Sequence, residues 1–143
     1  MHCIVYQTVS RIGISQKTVF RTVSLVLDKI GKSPAEISVH FIGDRRMRTL
    51  NKRYRSIDRT TDVLSFPTNE GNDHMLGNDW GDIFISIPQI QRQAKQFGVS
   101  YKEELARMLV HGVLHLFGYD HVTEKDAKKM FAIQETCVKK IMV

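Results

Sequence analysis

Three of the chain's six histidines fall within the run His111-Gly112-Val113-Leu114-His115-Leu116-Phe117-Gly118-Tyr119-Asp120-His121. No other stretch constrains the fold as strongly. Each helical residue turns about 100°, so His115 returns to within about 40° of His111, one turn further along the same face. Two imidazoles can then reach one point from rigid backbone. Gly118 permits the left-handed conformation that ends a helix, after which the chain can turn and bring His121 to that point from the far side. The spacing predicts a helix to about Phe117, a turn at Gly118, and three nitrogens converging on one metal ion with a fourth position open.

That open position distinguishes a catalytic zinc from a structural one, which four protein ligands normally close. The two cysteines, Cys3 and Cys137, lie at opposite ends of the chain, which is neither a disulfide framework nor a zinc pattern, and they read as reduced thiols. The run departs from the zinc-protease motif, in which glutamate follows the first histidine as general base; here Gly112 stands there. A peptidase of that type needs the carboxylate. Phosphodiester cleavage depends more on charge stabilisation and positioning at the phosphoryl oxygens, which a metal and an arginine supply. His2, His40 and His74 have no such spacing and read as surface or strand-filling residues.

Around this run the pattern alternates between strand and helix. Val19, Phe20, Val23, Val26, Leu27 and Ile30 predict an amphipathic helix over about 15–31, with Ser15 as N-cap and Gly31 past its end. Cys3 to Gln7 and the alternating Ile37, Val39 and Phe41 predict two strands that pair. Asp44 is placed to cap a short basic helix reaching about Tyr54, with Met47, Leu50 and Tyr54 inward. Further strands are predicted over 62–66 and 82–87. Between them a polar segment with Gly71, Asn72, Asp73, Gly77 and Asn78 reads as a loop. Helices follow over about 88–97, from Ser100 with the capping-box residue Glu103 to Phe117, and from Thr123 with Ala127, Met130, Phe131, Cys137 and Ile141 inward. About four strands and about five helices without a linker predict one α+β or α/β domain over residues 1–143.

The charge is uneven. The chain carries +6, with 21 Lys and Arg against 15 Asp and Glu, and most of this excess lies in 44–59, where Arg45, Arg46, Arg48, Lys52, Arg53, Arg55 and Arg59 face only Asp44 and Asp58. Such a balance favours polyanions, RNA or DNA first. Tyr54 and Phe66 nearby can stack on unpaired bases or pack in the core, and both roles stay open. No stretch approaches the roughly 18 apolar residues of a membrane span, and Met1 to Tyr6 shows no leader pattern, so a cytosolic protein with no membrane partner is expected.

Three blocks resemble the YbeY family of bacterial endoribonucleases and ribosomal-RNA maturation factors. They are Leu50-Asn51-Lys52-Arg53-Tyr54-Arg55 with Asp58 and Thr61-Asp62-Val63-Leu64-Ser65-Phe66-Pro67; Gly81-Asp82-Ile83-Phe84-Ile85-Ser86; and the run from His111 to His121, which matches H-G-x-L-H-L-x-G-Y-D-H at every fixed position. The likeness spans residues 35–125. Thr60, where many members carry proline, and Trp80 depart from the family pattern. The resemblance implies an α+β fold, a small mixed sheet with helices around it and a zincin-like metal site. It also implies a zinc-bound endoribonuclease, directed at single-stranded RNA, that acts in maturation and quality control of small-subunit ribosomal RNA, with the small subunit or ribosomal proteins as further partners. His111, His115 and His121 match the family's metal ligands, and Arg55 matches its arginine beside the metal. Three imidazoles suit one zinc ion per chain, and also nickel, copper or iron. Arg55 would offer a bidentate fork to phosphate, while Asp120 and Asp82 are candidates to orient an imidazole N–H. Two other readings are weighed: an RNA-binding ribosome assembly factor whose metal is structural, and a peptidase, disfavoured by Gly112.

Overall fold

The structure, a computed structural model, describes residues 3–68 and 79–142. Its elements run β1 (Cys3–Gln7), α1 (Gln16–Lys29), β2 (Glu36–Ile42), α2 (Asp44–Arg55), β3 (Val63–Pro67), β4 (Asp79–Ser86), α3 (Ile87–Phe97), α4 (Tyr101–Leu116) and α5 (Glu124–Met142). The strands form one mixed sheet in the order β1-β2-β4-β3, parallel except for the antiparallel β3–β4 pair. β3 and β1 are therefore its edges. The expected pairing of the first two strands is present, with Val5 opposite Val39.

Alternation of side chains along each strand divides the apolar residues between the two faces. Ile37, Val39, Phe41, Ile83 and Ile85 join Val19, Val23, Val26, Leu27, Leu105, Leu109, Val113 and Met130 in the main core beneath the helices. Ile42 and Leu64 point the other way and close a smaller cluster with Met47 of α2, against which Leu50, Phe66 and Phe84 pack. α2 thus lies on the opposite face from α4. The site depends on this separation, because β3 shows one face to each helix.

Several local expectations are corrected. Asp44 does not cap α2; Gly43 holds that position without a side-chain cap. Asp44 instead binds Arg92 through both guanidinium nitrogens at 2.8 Å and accepts from Thr60 Oγ1 at 3.0 Å and Ser86 Oγ at 2.9 Å. Tyr54 is 56% exposed, not inward; at the last turn of α2 it meets Phe66 of edge strand β3 edge-on at 5.1 Å. β4 begins at Asp79, three residues earlier than its apolar run. Gly81 continues the strand at φ 140°, and a side chain there would collide with the Phe66 carbonyl. Ile87 belongs to α3, whose N-cap is Ser86. The predicted loop residues Gly71, Asn72, Asp73, Gly77 and Asn78 lie outside the described residues, as do His2 and His74.

Candidate metal centre

α4 carries the first two histidines and is fixed at both ends and in its middle. Ser100 accepts from Glu103 N at 3.1 Å, as predicted, but the Glu103 carboxylate turns to Arg107 at 3.1 Å. At the other end Gly118 N donates to the His115 carbonyl and Tyr119 N to that of Leu114, with Gly118 at φ 91°, the left-handed residue that the run requires. Asp120 Oδ1 then accepts from Val122 N at 3.3 Å and shapes the turn that carries His121. In mid-helix, Ser65 Oγ of β3 donates to the Gly112 carbonyl at 2.8 Å. A methyl group on Gly112 would lie 2.8 Å from Ile83 Cγ2 and 3.0 Å from Val63 Cγ2. The position occupied by glutamate in zinc proteases therefore faces the sheet at glycine distance and has no room for a carboxylate.

The three imidazoles meet. One nitrogen from each of His111, His115 and His121 lies within 4.8 Å of the others, with ring centroids separated by 4.5, 5.9 and 5.5 Å. Zinc–nitrogen bonds of about 2.0–2.1 Å need nitrogens about 3.4 Å apart, a closure within reach of small ring rotations. The protonation state also fits. Burial pushes the His115 imidazole down to about 4, aided by its two neighbouring histidines, and burial likewise lowers His111. Both rings are then neutral near pH 7, the form that ligates a cation.

Which nitrogen His111 presents is decided by Gln134 of α5. Gln134 Nε2 donates to Glu135 Oε2 at 3.2 Å, which turns Oε1 toward His111 Nδ1 at 2.8 Å. The carbonyl oxygen can only accept, so Nδ1 holds the hydrogen and Nε2 is bare. The group that orients His111 is thus Gln134; Asp82 pairs at 2.8 Å with His40, and Asp120 accepts within the turn. Phe131, expected inward on α5, is 44% exposed and stacks 6.3 Å from His121.

Arg55, the last residue of α2, lines one cleft with all three histidines and with Thr61 to Ser65, a space of about 410 Å³. Its Nη1 lies 3.5 Å from Asn51 Oδ1. Asn51 is 1% exposed and its Nδ2 donates to the Arg59 carbonyl at 2.8 Å, which ties the segment after α2 back against the helix. Thr60, where many family members have proline, fastens that segment to Asp44. Among the described residues Asp62 is the one carboxylate lining the cleft; its Oδ1 accepts from Val63 N at 2.7 Å.

A family model described as endoribonuclease YbeY matches residues 6–142. The chain belongs to that family. Among proteins named endoribonuclease YbeY, that of Desulforamulus reducens is 42% identical over 130 residues, 87% of this chain and 85% of its own. That of Persephonella marina is 39% identical over 124 residues, 86% and 81% of the two chains. The solution structure of a Thermotoga maritima protein aligns with a TM-score of 0.65 at 26% identity, covering 96% of this chain and 89% of that one. The YbeY name is that of an RNA-cleaving hydrolase, and the cleft brings a histidine trio that could hold a metal together with a guanidinium.

Proposed function

We propose that residues 1–143 act as one domain, a zinc-dependent endoribonuclease that cuts single-stranded RNA in the cytoplasm during maturation and quality control of small-subunit ribosomal RNA. The observation that carries this reading is the shared cleft of Arg55, His111, His115 and His121. His111 and His115 hold the ion from α4 and His121 from the turn beyond it. Zinc bound there supplies a Lewis acid for a phosphoryl oxygen. Nickel, copper or iron suits the same donors. Arg55, which has no carboxylate partner among the described residues, takes the scissile phosphate in a two-pronged contact and stabilises charge as it builds. Asp62 is the carboxylate placed to receive a proton from the attacking hydroxyl.

The test is cleavage of an unpaired ribosomal-RNA fragment by the zinc-loaded protein, compared with His115→Ala and Arg55→Ala. Loss of cleavage in both variants is the expected result; equal cleavage by all three overturns the proposal. A second reading, an RNA-binding assembly factor with a structural metal, draws on the position of His121 between α4 and α5, where an ion would clasp the two helices. Under that reading, chelation lowers the melting temperature and no metal-dependent product forms.

A further inference from the structure

The sheet face that carries α2 is crossed by a continuous row of rings that the cleft does not use. Tyr6 of β1 stacks on His40 of β2 at 4.7 Å, and His40 on Phe84 of β4 at 4.2 Å, both with 12° between ring planes. Phe84 meets Phe66 of β3 edge-on at 5.7 Å, and Phe66 meets Tyr54 of α2 at 5.1 Å. The row therefore follows the strand order from one sheet edge to the other and ends on the residue preceding Arg55. Its middle is partly covered by α2, but its ends are open: Tyr6 is 49% exposed, with Ile4 of the same strand face at 52%, and Tyr54 is 56% exposed.

Cations accompany the rings. The Arg46 guanidinium lies 5.9 Å from the Phe84 ring centroid, and that of Arg53 lies 5.4 Å from that of Tyr54. The acids on α2 and just after it are taken up, Asp44 by Arg92 and Asp58 by Arg48 and Lys52. Arg45, Arg46 and Arg53 have no carboxylate partner among the described residues. A hydrophobic protein partner or a second copy of the chain would have to bury these unpaired guanidiniums, at a high desolvation cost. An unpaired polynucleotide meets them with phosphates and meets the rings with bases, without regard to base identity.

We propose that this ring row and its arginines form a second contact surface for unpaired RNA, holding the stretch of chain that flanks the cleft. The proposal rests on the endoribonuclease reading above. The inner faces of Tyr6, His40 and Phe84 are filled by one another, so a base stacks on the outward face of Tyr6 and another on Tyr54. The phosphates between them run past Arg46 and Arg53.

The experiment measures kcat/KM of the zinc-loaded protein on two unpaired oligonucleotides, of about 4 and about 12 nucleotides, one filling only the cleft and one reaching the row. Wild type is compared with Tyr6→Ala and Arg46→Gln, both exposed positions that do not line the cleft, and the folding of each variant is checked by melting. The longer oligonucleotide should be cut more efficiently by wild type. Tyr6→Ala should lower that advantage by roughly 5- to 150-fold, the range for loss of one base–aromatic stack, and leave the shorter one unchanged. Arg46→Gln should reduce the slope of log affinity against log salt by about 0.7 for the longer one only. Variants that cut both lengths as wild type does overturn the inference while leaving the endoribonuclease reading standing. So does a change of oligomeric state without a change in RNA kinetics, which assigns the face to a second copy. Failure of wild type to cut either length overturns both.

Discussion

Replacing Gln134 by leucine should weaken zinc binding without unfolding the protein. The side chain is 4% exposed, and its carbonyl accepts the His111 Nδ1 hydrogen at 2.8 Å. Leucine keeps the volume but cannot accept. In the metal-free variant His111 escapes by shifting its hydrogen to Nε2, which faces the cleft, so the apo protein loses little. Ligation through Nε2 forces the hydrogen back to Nδ1, now buried against an apolar side chain and unpaired. An unpaired buried donor costs about 1–3 kcal/mol, and each 1.4 kcal/mol is tenfold in affinity. The dissociation constant for zinc should therefore rise about 5- to 150-fold, which overlaps the 10- to 100-fold known for loss of such supporting contacts. Competition against a chromophoric chelator measures this directly, with circular dichroism as a check on the fold. A leucine variant with wild-type zinc affinity and an intact fold would refute the argument that Gln134 sets the tautomer.

Three further outcomes follow from the packing. Gly112→Glu, which restores the zinc-protease motif, should give an unfolded or insoluble chain and no peptidase, because a lone methyl there already lies 2.8 Å from Ile83; a folded variant on a one-dimensional NMR spectrum would contradict this. Asn51→Ala should cost about 1–3 kcal/mol, or roughly 3–10 °C in Tm, and reduce RNA cleavage by loosening Arg55, so an unchanged melting curve would count against the bracket described for Asn51. Asp44 is held below the ordinary aspartate range chiefly by its hydrogen bond from Arg92, with smaller help from Ser86 and Thr60. A carboxyl lowered in the folded state contributes stability above its unfolded value of about 3.9, and that stability is lost as pH falls through the folded value. The Tm gap between wild type and Asp44→Asn should thus be widest near pH 6 and close below pH about 3.9; a gap independent of pH would exclude this linkage.

Much of the fold could be read from residue patterns that local physics settles. Every helix appeared near its predicted place, because Ser15 and Ser100 mark starts by accepting from backbone N–H groups, and Gly98 and Gly118 mark ends in a left-handed conformation open to few other residues. The convergence of His111, His115 and His121 followed from helix geometry and one glycine. What escaped was set by partners remote in sequence. Asp44 looks like a cap until Arg92, far along the chain, claims its carboxylate. Asp82 and Asp120 sit in or beside the family-like blocks, yet the His111 imidazole is oriented by Gln134 from α5, and only the packing of α4 against α5 brings that amide to it. Gly112 reads in the sequence as a missing base. Its reason is steric, and becomes visible only when β3 and β4 are laid against the helix.

The intimate seat of Gly112 on the sheet has a mechanical consequence. A helix lodged this closely cannot slide or roll over its strands without forcing Ile83 and Val63 aside, so two of the three imidazoles ride on what is effectively a single rigid block with the sheet.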